Sequence, residues 1–246
     1  MDKSPNTAIL FTDSGMVALD SPVKLKILKL LENGTKSFDE LVENSNKAKS
    51  TISVHLHDLE ELNLIQGKSF PDDKRKKYFM LNSLYLAYSE TPLRNQYNSN
   101  LDDLALSILN GDSFRDKLFC TFRFGIEAFG IDPKPLLKQM GIDIGIKIGP
   151  AFKAKDCDGI LDELSVFWEH HELGDMTSID ADKLTLVVTN CHHCSKMPNV
   201  GKTLCSMDEG IIEGVFSSKL DRHCNVKETE CWGTGYNHCK FVVERK

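Results

Sequence analysis

The chain contains no cysteine before Cys120, so all eight of its thiols belong to the C-terminal part. It also lacks any run of about eighteen apolar residues, so the sequence predicts no membrane-spanning helix. No charged segment leads into an apolar stretch at the N-terminus, so we expect no secretory signal and a cytoplasmic protein. In a reducing compartment, cysteines indicate metal or redox chemistry rather than a disulfide scaffold.

Acidic residues exceed basic ones only in the later part of the chain. Of 36 acidic and 30 basic residues, residues 1–85 carry twelve of each, so the formal net charge of -6 arises entirely downstream. A phosphate-rich partner needs only a local patch of Lys and Arg. The N-terminal part is therefore the better candidate for contact with nucleic acid, without a large sequence-independent affinity.

Three helices are predicted in the first 82 residues. Ser21 and Pro22 are typical of a helix start, and the apolar spacing that follows predicts about three turns. Ser37 and Glu40 have the spacing of a capping box, which predicts a second helix. A third helix is predicted from about Ala48 to Leu62.

The third helix has two chemically different sides. A buried stripe is predicted from the helical spacing of Ile52, Leu56, Leu59 and Leu62. The other side carries mostly short polar groups, which suit base edges and phosphates in the DNA major groove. The residues predicted to contact DNA from this helix are Lys49, Ser50, Thr51, Ser53, Val54 and His57.

A basic hairpin follows the third helix. Strands are predicted at Leu64–Lys68 and Lys77–Leu81, and the turn between them carries the predicted backbone contacts Lys74, Arg75 and Lys76. Over residues 15–82 the sequence resembles the ArsR-type winged-helix regulators, in the register Ser21-Pro22, Lys49-Ser50-Thr51-Ile52-Ser53-Val54-His55-Leu56 and Asp73-Lys74-Arg75-Lys76-Lys77-Tyr78. The resemblance implies that the third helix reads double-stranded DNA, that the wing contacts the backbone and that a dimer addresses two half-sites. A winged helix used for protein contact alone is the alternative.

No metal chelate is predicted in this first domain. It has no cysteine, and His55 and His57 are two residues apart, which directs them to different faces of a helix. The signal must therefore be sensed elsewhere. Residues 83–111 are predicted to be a linker with a helix over 101–110 capped by Ser99. This helix is too short to be stable alone, so it packs either on a second chain, giving a homodimer, or on the next domain.

Residues 112–246 are predicted to form a mixed domain, which gives the whole chain the fold class α/β (α+β). The stretch Phe114–Trp168 has a helical pattern and many aromatic residues, which favour a core but also permit a cavity for a small molecule. Gly141, Gly145 and Gly149 recur every fourth residue, a spacing that permits close backbone approach. A strand at Lys183–Asn190, a helix at Met207–Leu220 and a hairpin of strands at Asn225–Trp232 and Cys239–Val243 complete the domain.

Metal-ligating residue types collect at the end of the chain. The two glycines and the asparagine of Trp232–His238 suit a tight reversal, which would bring the sulfurs of Cys231 and Cys239 together. With Cys205 and Glu228 they make a set of four ligands of the kinds that tetrahedral zinc prefers. An iron-sulfur cluster is the alternative cofactor, and buried inert cysteines are the alternative without one.

The same region resembles the 4-vinyl reductase domain family over about residues 112–243. The matching motifs are Leu204–Gly214, Glu228–Cys231 and Gly235–Val242. The resemblance implies a structural zinc held by Cys205, Glu228, Cys231 and Cys239. A domain of this kind joined to an ArsR-like winged helix resembles the methanogen-specific regulators called MsvR, which implies a thiol-based redox input.

Three other cysteines are candidates for a redox switch. Cys191 and Cys194 enclose two histidines, and Cys224 follows His223. An adjacent imidazole can lower the pKa of a thiol and so increase the fraction of reactive thiolate. Half of a second metal site, or surface polarity alone, is the alternative for Cys191 and Cys194.

Together these features predict a homodimeric DNA-binding transcriptional regulator. Its cysteine-rich domain would sense redox or metal state and alter binding to a DNA operator. An enzyme is not expected, because neither a nucleotide fingerprint nor a set of acid, base and nucleophile is evident. In the alternative regulator, a small hydrophobic ligand is the input and the zinc is purely structural.

Overall fold

The computed structural model describes residues 7–70, 73–110, 114–180, 184–192, 194–195, 197 and 199–245. The chain forms two compact units. The first unit combines the described residues of Met1–Pro92 with Phe129–Pro133, and the second combines those of Leu93–Ala128 and Lys134–Lys246. Helices and antiparallel sheets are mixed in the chain, which confirms the predicted fold class.

The first unit contains the predicted helices and wing. In chain order it comprises β1 (Ala8–Thr12), β2 (Gly15–Leu19), α1 (Pro22–Glu32), β3 (Lys36–Ser37), α2 (Phe38–Ser45), α3 (Lys49–Glu61), β4 (Ile65–Phe70), β5 (Asp73–Leu81), β6 (Leu84–Ser89) and β7 (Ile131–Asp132). The capping box is present: Ser37 N–H donates to Glu40 Oε2 at 2.7 Å, and Glu40 N–H donates to Ser37 Oγ at 3.3 Å. Asn46, with φ 57°, ends α2 in the left-handed conformation.

Helix α3 presents most of its predicted apolar stripe to the core. Ile52, Leu56 and Leu59 are buried in one cluster with Ile27 of α1. Burial of each such side chain stabilises the fold by about 1.5–3 kcal/mol. The prediction was wrong for Leu62, which is 39% exposed because α3 ends one residue earlier.

Strands that pair over long distances in the chain were not predicted. β6 lies in the segment predicted to be a linker, yet it pairs with β1 in a sheet of order β2-β1-β6-β7. Ala8 of β1 opposes Tyr88 of β6. Periodicity within one segment cannot identify a partner so remote in sequence. The wing strands form a separate sheet of order β3-β5-β4.

The second unit combines five helices with a four-stranded sheet. Its elements are α4 (Arg94–Asn110), α5 (Phe114–Ala128), α6 (Lys134–Ile148), α7 (Cys157–His170), β8 (Asp175–Asp180), β9 (Thr185–Thr189), α8 (Ser206–Leu220), β10 (Cys224–Glu230) and β11 (Cys239–Arg245). The antiparallel sheet has the order β10-β11-β9-β8, and β8 was not predicted. Helix α4 begins well before Ser99, whose hydroxyl donates to the Asn95 carbonyl oxygen at 3.3 Å instead of capping the helix.

Helices α6 and α8 pack with their backbones in close contact. A Cβ added to Gly145 would lie 2.9 Å from the Cα of Gly214, and one added to Gly141 would lie 2.9 Å from the Cα of Gly210. The glycine spacing therefore has the predicted effect. Trp168, Phe216 and Phe241 are fully buried in the core of this unit. No helix in the described ranges is both long and apolar enough to cross a membrane.

Candidate metal centre and DNA-binding helix

The exposed side of α3 carries the predicted DNA contacts. Lys49, Ser50, Ser53, Val54 and His57 are exposed, and Thr51 is half-buried. Lys49 Nζ lies 3.2 Å from Asp39, and His57 Nε2 lies 3.4 Å from Glu61. Both pairs are exposed and therefore contribute little to stability, so either basic group can exchange its partner for a phosphate.

The wing holds the three predicted basic contacts on or beside strand β5. The side chains of Lys74 and Arg75 lie outside the described part of the structure, and Lys76 is exposed. Of the two histidines on α3, His55 is half-buried, and its Nδ1 has no hydrogen-bond partner among the described residues. The exposed His57 is thus the one directed outwards.

Five cysteines and one glutamate converge in the second unit. The ligand atoms of Cys191, Cys194, Cys205 and Cys239 all lie within 4.8 Å of one another, and so do those of Cys205, Glu228, Cys231 and Cys239. Every one of the six side chains is at most 4% exposed. The second set is the one predicted to bind zinc, and the first adds the pair predicted to be redox-active. Burial excludes the alternative that this pair is merely surface polarity.

A bulge in β10 turns two of the donors inwards. Glu228 and Cys231 are three residues apart, and in a regular strand their side chains would point to opposite faces. The register shifts between Glu228 and Glu230, which marks the bulge. Both donors are consequently buried beside Cys239, the first residue of β11.

The predicted reversal between β10 and β11 is present. It consists of a 3-10 turn at Trp232–Thr234 followed by Gly235 with φ 90°, a conformation that favours glycine. Cys231 N–H donates to Thr234 Oγ1 at 3.0 Å. The turn places the sulfurs of Cys231 and Cys239 3.8 Å apart.

Cys205 stands at the N-terminal end of α8 and contacts the glutamate. Its N–H donates to Glu228 Oε2 at 2.9 Å, and its sulfur lies 3.6 Å from that of Cys239. Glu228 Oε1 has no hydrogen-bond partner among the described residues, so one lone-pair site faces the thiols. Burial, with the charge of Cys231, raises the pKa of Glu228 to about 9. These donors therefore fit a bound cation, which would stabilise the ionised carboxylate.

Cys191 and Cys194 enter the cluster from the turn that follows β9. Asn190 has φ 51°, and Ser195 N–H donates to the Cys191 carbonyl oxygen at 3.1 Å. The sulfur of Cys194 lies 3.0 Å from that of Cys239. Hydrogen bonds from the Cys194 and Cys205 thiols lower the pKa of Cys191. His193, between the two cysteines, lies outside the described residues.

The remaining cysteines belong to neither set of four. The third predicted redox residue, Cys224, is buried at the opposite end of β10 from Glu228. Cys157 is half-buried at the start of α7. The side chain of Cys120 lies outside the described part of the chain.

A network of charged groups, missed in the sequence, connects β10 to the two packed helices. Lys138 Nζ of α6 lies 2.6 Å from Glu209 and 3.0 Å from Glu213, both on α8. It also donates to the Val226 carbonyl oxygen at 2.8 Å, and Glu228 N–H donates to Glu209 Oε2 at 2.8 Å. The spacing of the two acids, four residues apart on a helix, was the available signal.

The aromatic residues of the second unit do not all line one interior. Trp168 and Phe152 are buried, whereas Phe122 is 69% and Phe129 is 50% exposed. The side chains of Phe119 and Phe124 lie outside the described residues.

Two family models match this chain. Residues 21–66 match a family described as "Bacterial regulatory protein, arsR family", and residues 184–245 match the 4-vinyl reductase domain. The class of protein is thus an arsR-family helix-turn-helix joined to a 4-vinyl reductase domain, and both resemblances seen in the sequence are confirmed. The arsR-family segment indicates a regulatory DNA-binding protein.

Curated relatives come from Methanocaldococcus jannaschii. The protein MJ0150 is 29% identical over 129 residues, which are 52% of this chain and 73% of the relative. The protein MJ1642 is 33% identical over 81 residues, which are 33% of this chain and 50% of the relative. This chain therefore spans only half the length of MJ1642.

Solved structures with a similar arrangement include two sensor or reductase-family proteins. A vinyl-4-reductase family protein from M. jannaschii has a TM-score of 0.37 at 20% identity, covering 45% of this chain and 68% of its own. The phenol-responsive sensory domain of the transcription activator PoxR has a TM-score of 0.37 at 13% identity, covering 80% and 90%.

Proposed function

We propose that this protein is a transcriptional regulator whose 4-vinyl reductase domain alters operator binding according to the metal or redox state of its thiol centre. The observation that carries the proposal is the presence, in one chain, of an exposed polar helix face on an arsR-family fold and a buried cluster of six metal-ligating groups. Such a cluster exceeds what packing requires, because buried polar donors destabilise a fold unless they are paired.

The DNA-binding surface is proposed to be α3 and the wing. Short side chains on α3 would contact base edges in the major groove, and basic groups of the wing would contact phosphates. The contributing residues are Lys49, Ser50, Thr51, Ser53, Val54 and His57 on α3, and Lys74, Arg75 and Lys76 on the wing.

Zinc is the proposed metal of the set Cys205, Glu228, Cys231 and Cys239. Tetrahedral zinc with bonds of about 2.3 Å to sulfur separates its sulfur ligands by about 3.8 Å. The sulfur of Cys239 lies 3.8 Å from that of Cys231 and 3.6 Å from that of Cys205. When bound, zinc would hold the N-terminal end of α8 to the β10–β11 hairpin. An iron-sulfur cluster is the alternative cofactor, and visible absorption with acid-labile sulfide would reveal it.

Cys191 and Cys194 are the proposed redox pair. Hydrogen peroxide would oxidise one thiol to a sulfenic acid with release of water, and the second thiol would then form the disulfide with release of another water. Both thiols are buried, so the reaction requires local opening of the turn after β9. Cys224 stays a third candidate, although it lies outside both sets of four donors.

A homodimer is proposed through helices α4 and α5. These helices expose large apolar side chains, which in a soluble protein mark a site of association. The exposed residues are Leu106 (52%), Ile108 (67%), Leu109 (81%), Phe114 (47%), Leu118 (48%) and Phe122 (69%). A two-fold dimer would present two copies of α3 to two half-sites.

Selection from a pool of randomised DNA duplexes tests the proposed function. Reduced, zinc-loaded, full-length protein should enrich sequences with two-fold related half-sites about one helical turn apart. A Val54→Asp variant serves as the control for selection through α3. Failure of the wild-type protein to enrich any sequence would contradict the proposal.

A further inference from the structure

The two sets of four donors share two sulfurs. Cys205 and Cys239 belong to both, whereas Cys191 and Cys194 occur only in one, and Glu228 and Cys231 only in the other. Two tetrahedra that share an edge have six corners, of which two are common. The six donors therefore match the number and the sharing of ligands around two tetrahedral cations.

The distance between the shared sulfurs is that of a tetrahedral edge. Cys205 and Cys239 are 3.6 Å apart, against about 3.8 Å for two sulfurs on one zinc ion. Each shared sulfur also contacts one donor from each side. Cys205 lies 3.8 Å from the sulfur of Cys191 and bonds Glu228 through its N–H. Cys239 lies 3.0 Å from Cys194 and 3.8 Å from Cys231.

Both outer pairs are held by tight local structure. The Cys194 backbone N–H bonds the Cys191 sulfur, so the Cys-x-x-Cys turn already points both thiols to one side. On the other side, the bulge after Glu228 and the 3-10 turn after Cys231 direct a carboxylate and a thiol into the same interior. Such preset directions lower the entropic cost of binding a cation.

We propose that the centre binds two thiophilic divalent cations, with the Cys205 and Cys239 thiolates bridging them. Cys191 and Cys194 complete the first site, and Glu228 and Cys231 complete the second. The donor count is that of a Zn2Cys6 module in which Glu228 replaces one cysteine. The inference rests on the proposed zinc centre and adds a second, all-thiolate site to it.

Formal charge favours two ions over one. Six ionised donors carry six negative charges, and one dication would leave a buried excess of four, so the unused donors would have to stay protonated. Two dications leave an excess of two with every donor in use. Because unpaired buried charge is strongly unfavourable, the second ion stabilises the fully ionised cluster.

Metal stoichiometry of the full-length protein tests the inference. Protein purified without oxygen, reduced, saturated with zinc and freed of excess ion is analysed for metal per chain. We expect about two zinc ions in the wild type and about one in Cys191→Ser/Cys194→Ser. The matched control Cys157→Ser/Cys224→Ser removes two thiols outside both sets and should keep about two.

Cobalt substitution tests the bridging thiolates independently of any variant. As the second cobalt ion binds to metal-free wild type, coupling through shared sulfurs should lower the electron paramagnetic resonance signal per ion. Two ions with additive signals would overturn the bridge, and this measurement decides the matter even if the double variant does not fold.

The remaining outcomes separate this inference from the proposed function. One zinc ion per wild-type chain would overturn the second site and leave the proposed zinc centre intact. No bound metal would overturn both. Iron with acid-labile sulfide in place of zinc would also overturn the bridged pair. In every case the DNA selection described above reports separately on operator binding.

Discussion

Individual side chains on α3 have either a core role or an exposed role. Ile52 and Leu56 are at most 2% exposed, whereas Val54 between them is 59% exposed. An apolar side chain is an unusual choice for a solvated helix face unless it contacts something. On a helix in the major groove it can pack against a thymine methyl group.

Replacing Val54 with Asp should weaken binding to the selected duplex at least about tenfold, or about 1.4 kcal/mol. A carboxylate placed in the groove repels the phosphates and loses the apolar contact. The free energy of unfolding should change by no more than about 0.5 kcal/mol, because the site is exposed. Fluorescence anisotropy at fixed salt and urea denaturation measure the two quantities.

Val166→Asp is the matched control for this change. Val166 lies on α7 in the second unit, is 66% exposed, and undergoes the same change in charge. Its effect on DNA affinity should stay within about twofold. Equal losses in both variants would show that net charge, and not the α3 surface, determines binding.

At the scale of helices and strands, the closest packing is that of α6 on α8. A Cβ added to Gly214 would overlap the Ile142 carbonyl oxygen and approach the Ile146 nitrogen to 2.8 Å. These are backbone atoms of α6, which cannot move without displacing the helix. Because α8 begins next to Cys205, its position also determines the geometry of the thiol centre.

Gly214→Ala should therefore lower the free energy of unfolding by about 1–3 kcal/mol, as expected for overpacking. The comparison variant is Gly125→Ala on α5, where the nearest contact is the Tyr97 ring at 3.2 Å, a side chain that can shift. There the gain in helix propensity, about 1 kcal/mol, offsets the contact. Equal destabilisation in urea would contradict the close approach of α6 and α8.

The sequence predicted local features of these elements better than their partners. The Ser37–Glu40 capping box and the glycine spacing on α6 follow from short-range rules, and both are present. Strand β6 was missed because it pairs with β1 across most of the first unit. Ser99 was misplaced because a helix can continue through a serine that bonds a carbonyl within the helix.

The prediction of the site divides in the same way. The set Cys205, Glu228, Cys231 and Cys239 was found from ligand types and a glycine-containing reversal. That Cys191 and Cys194 enter the same cluster depends on the β9–β11 pairing, which places Cys239 opposite Val188 and so close to the turn after β9. Such a contact between distant segments is not encoded in spacing along the chain.

At the scale of the whole molecule, association through α4 and α5 is testable by charge. Ile108→Glu combined with Leu109→Glu should convert a dimer to a monomer, because it places two carboxylates at side chains that are 67% and 81% exposed and proposed to be buried between chains. Sedimentation equilibrium measures the result.

The control for the dimer is Val166→Glu combined with Ile179→Glu. These side chains are 66% and 58% exposed and lie on other elements of the same unit. This variant should sediment as the wild type does. A wild-type protein that is monomeric at micromolar concentration would contradict the proposed dimer.

The central claim is that the state of the thiol centre changes DNA affinity, and a single comparison tests it most directly. Fluorescence anisotropy would measure binding of the selected duplex, at one salt concentration, to reduced zinc-loaded protein and to protein oxidised with hydrogen peroxide. The account predicts a change in Kd of about tenfold, within the usual 1–3 kcal/mol of coupling between sites, and a smaller change in Cys191→Ser/Cys194→Ser. Equal affinity of the reduced and oxidised wild-type protein, with oxidation verified by thiol counting, would contradict it.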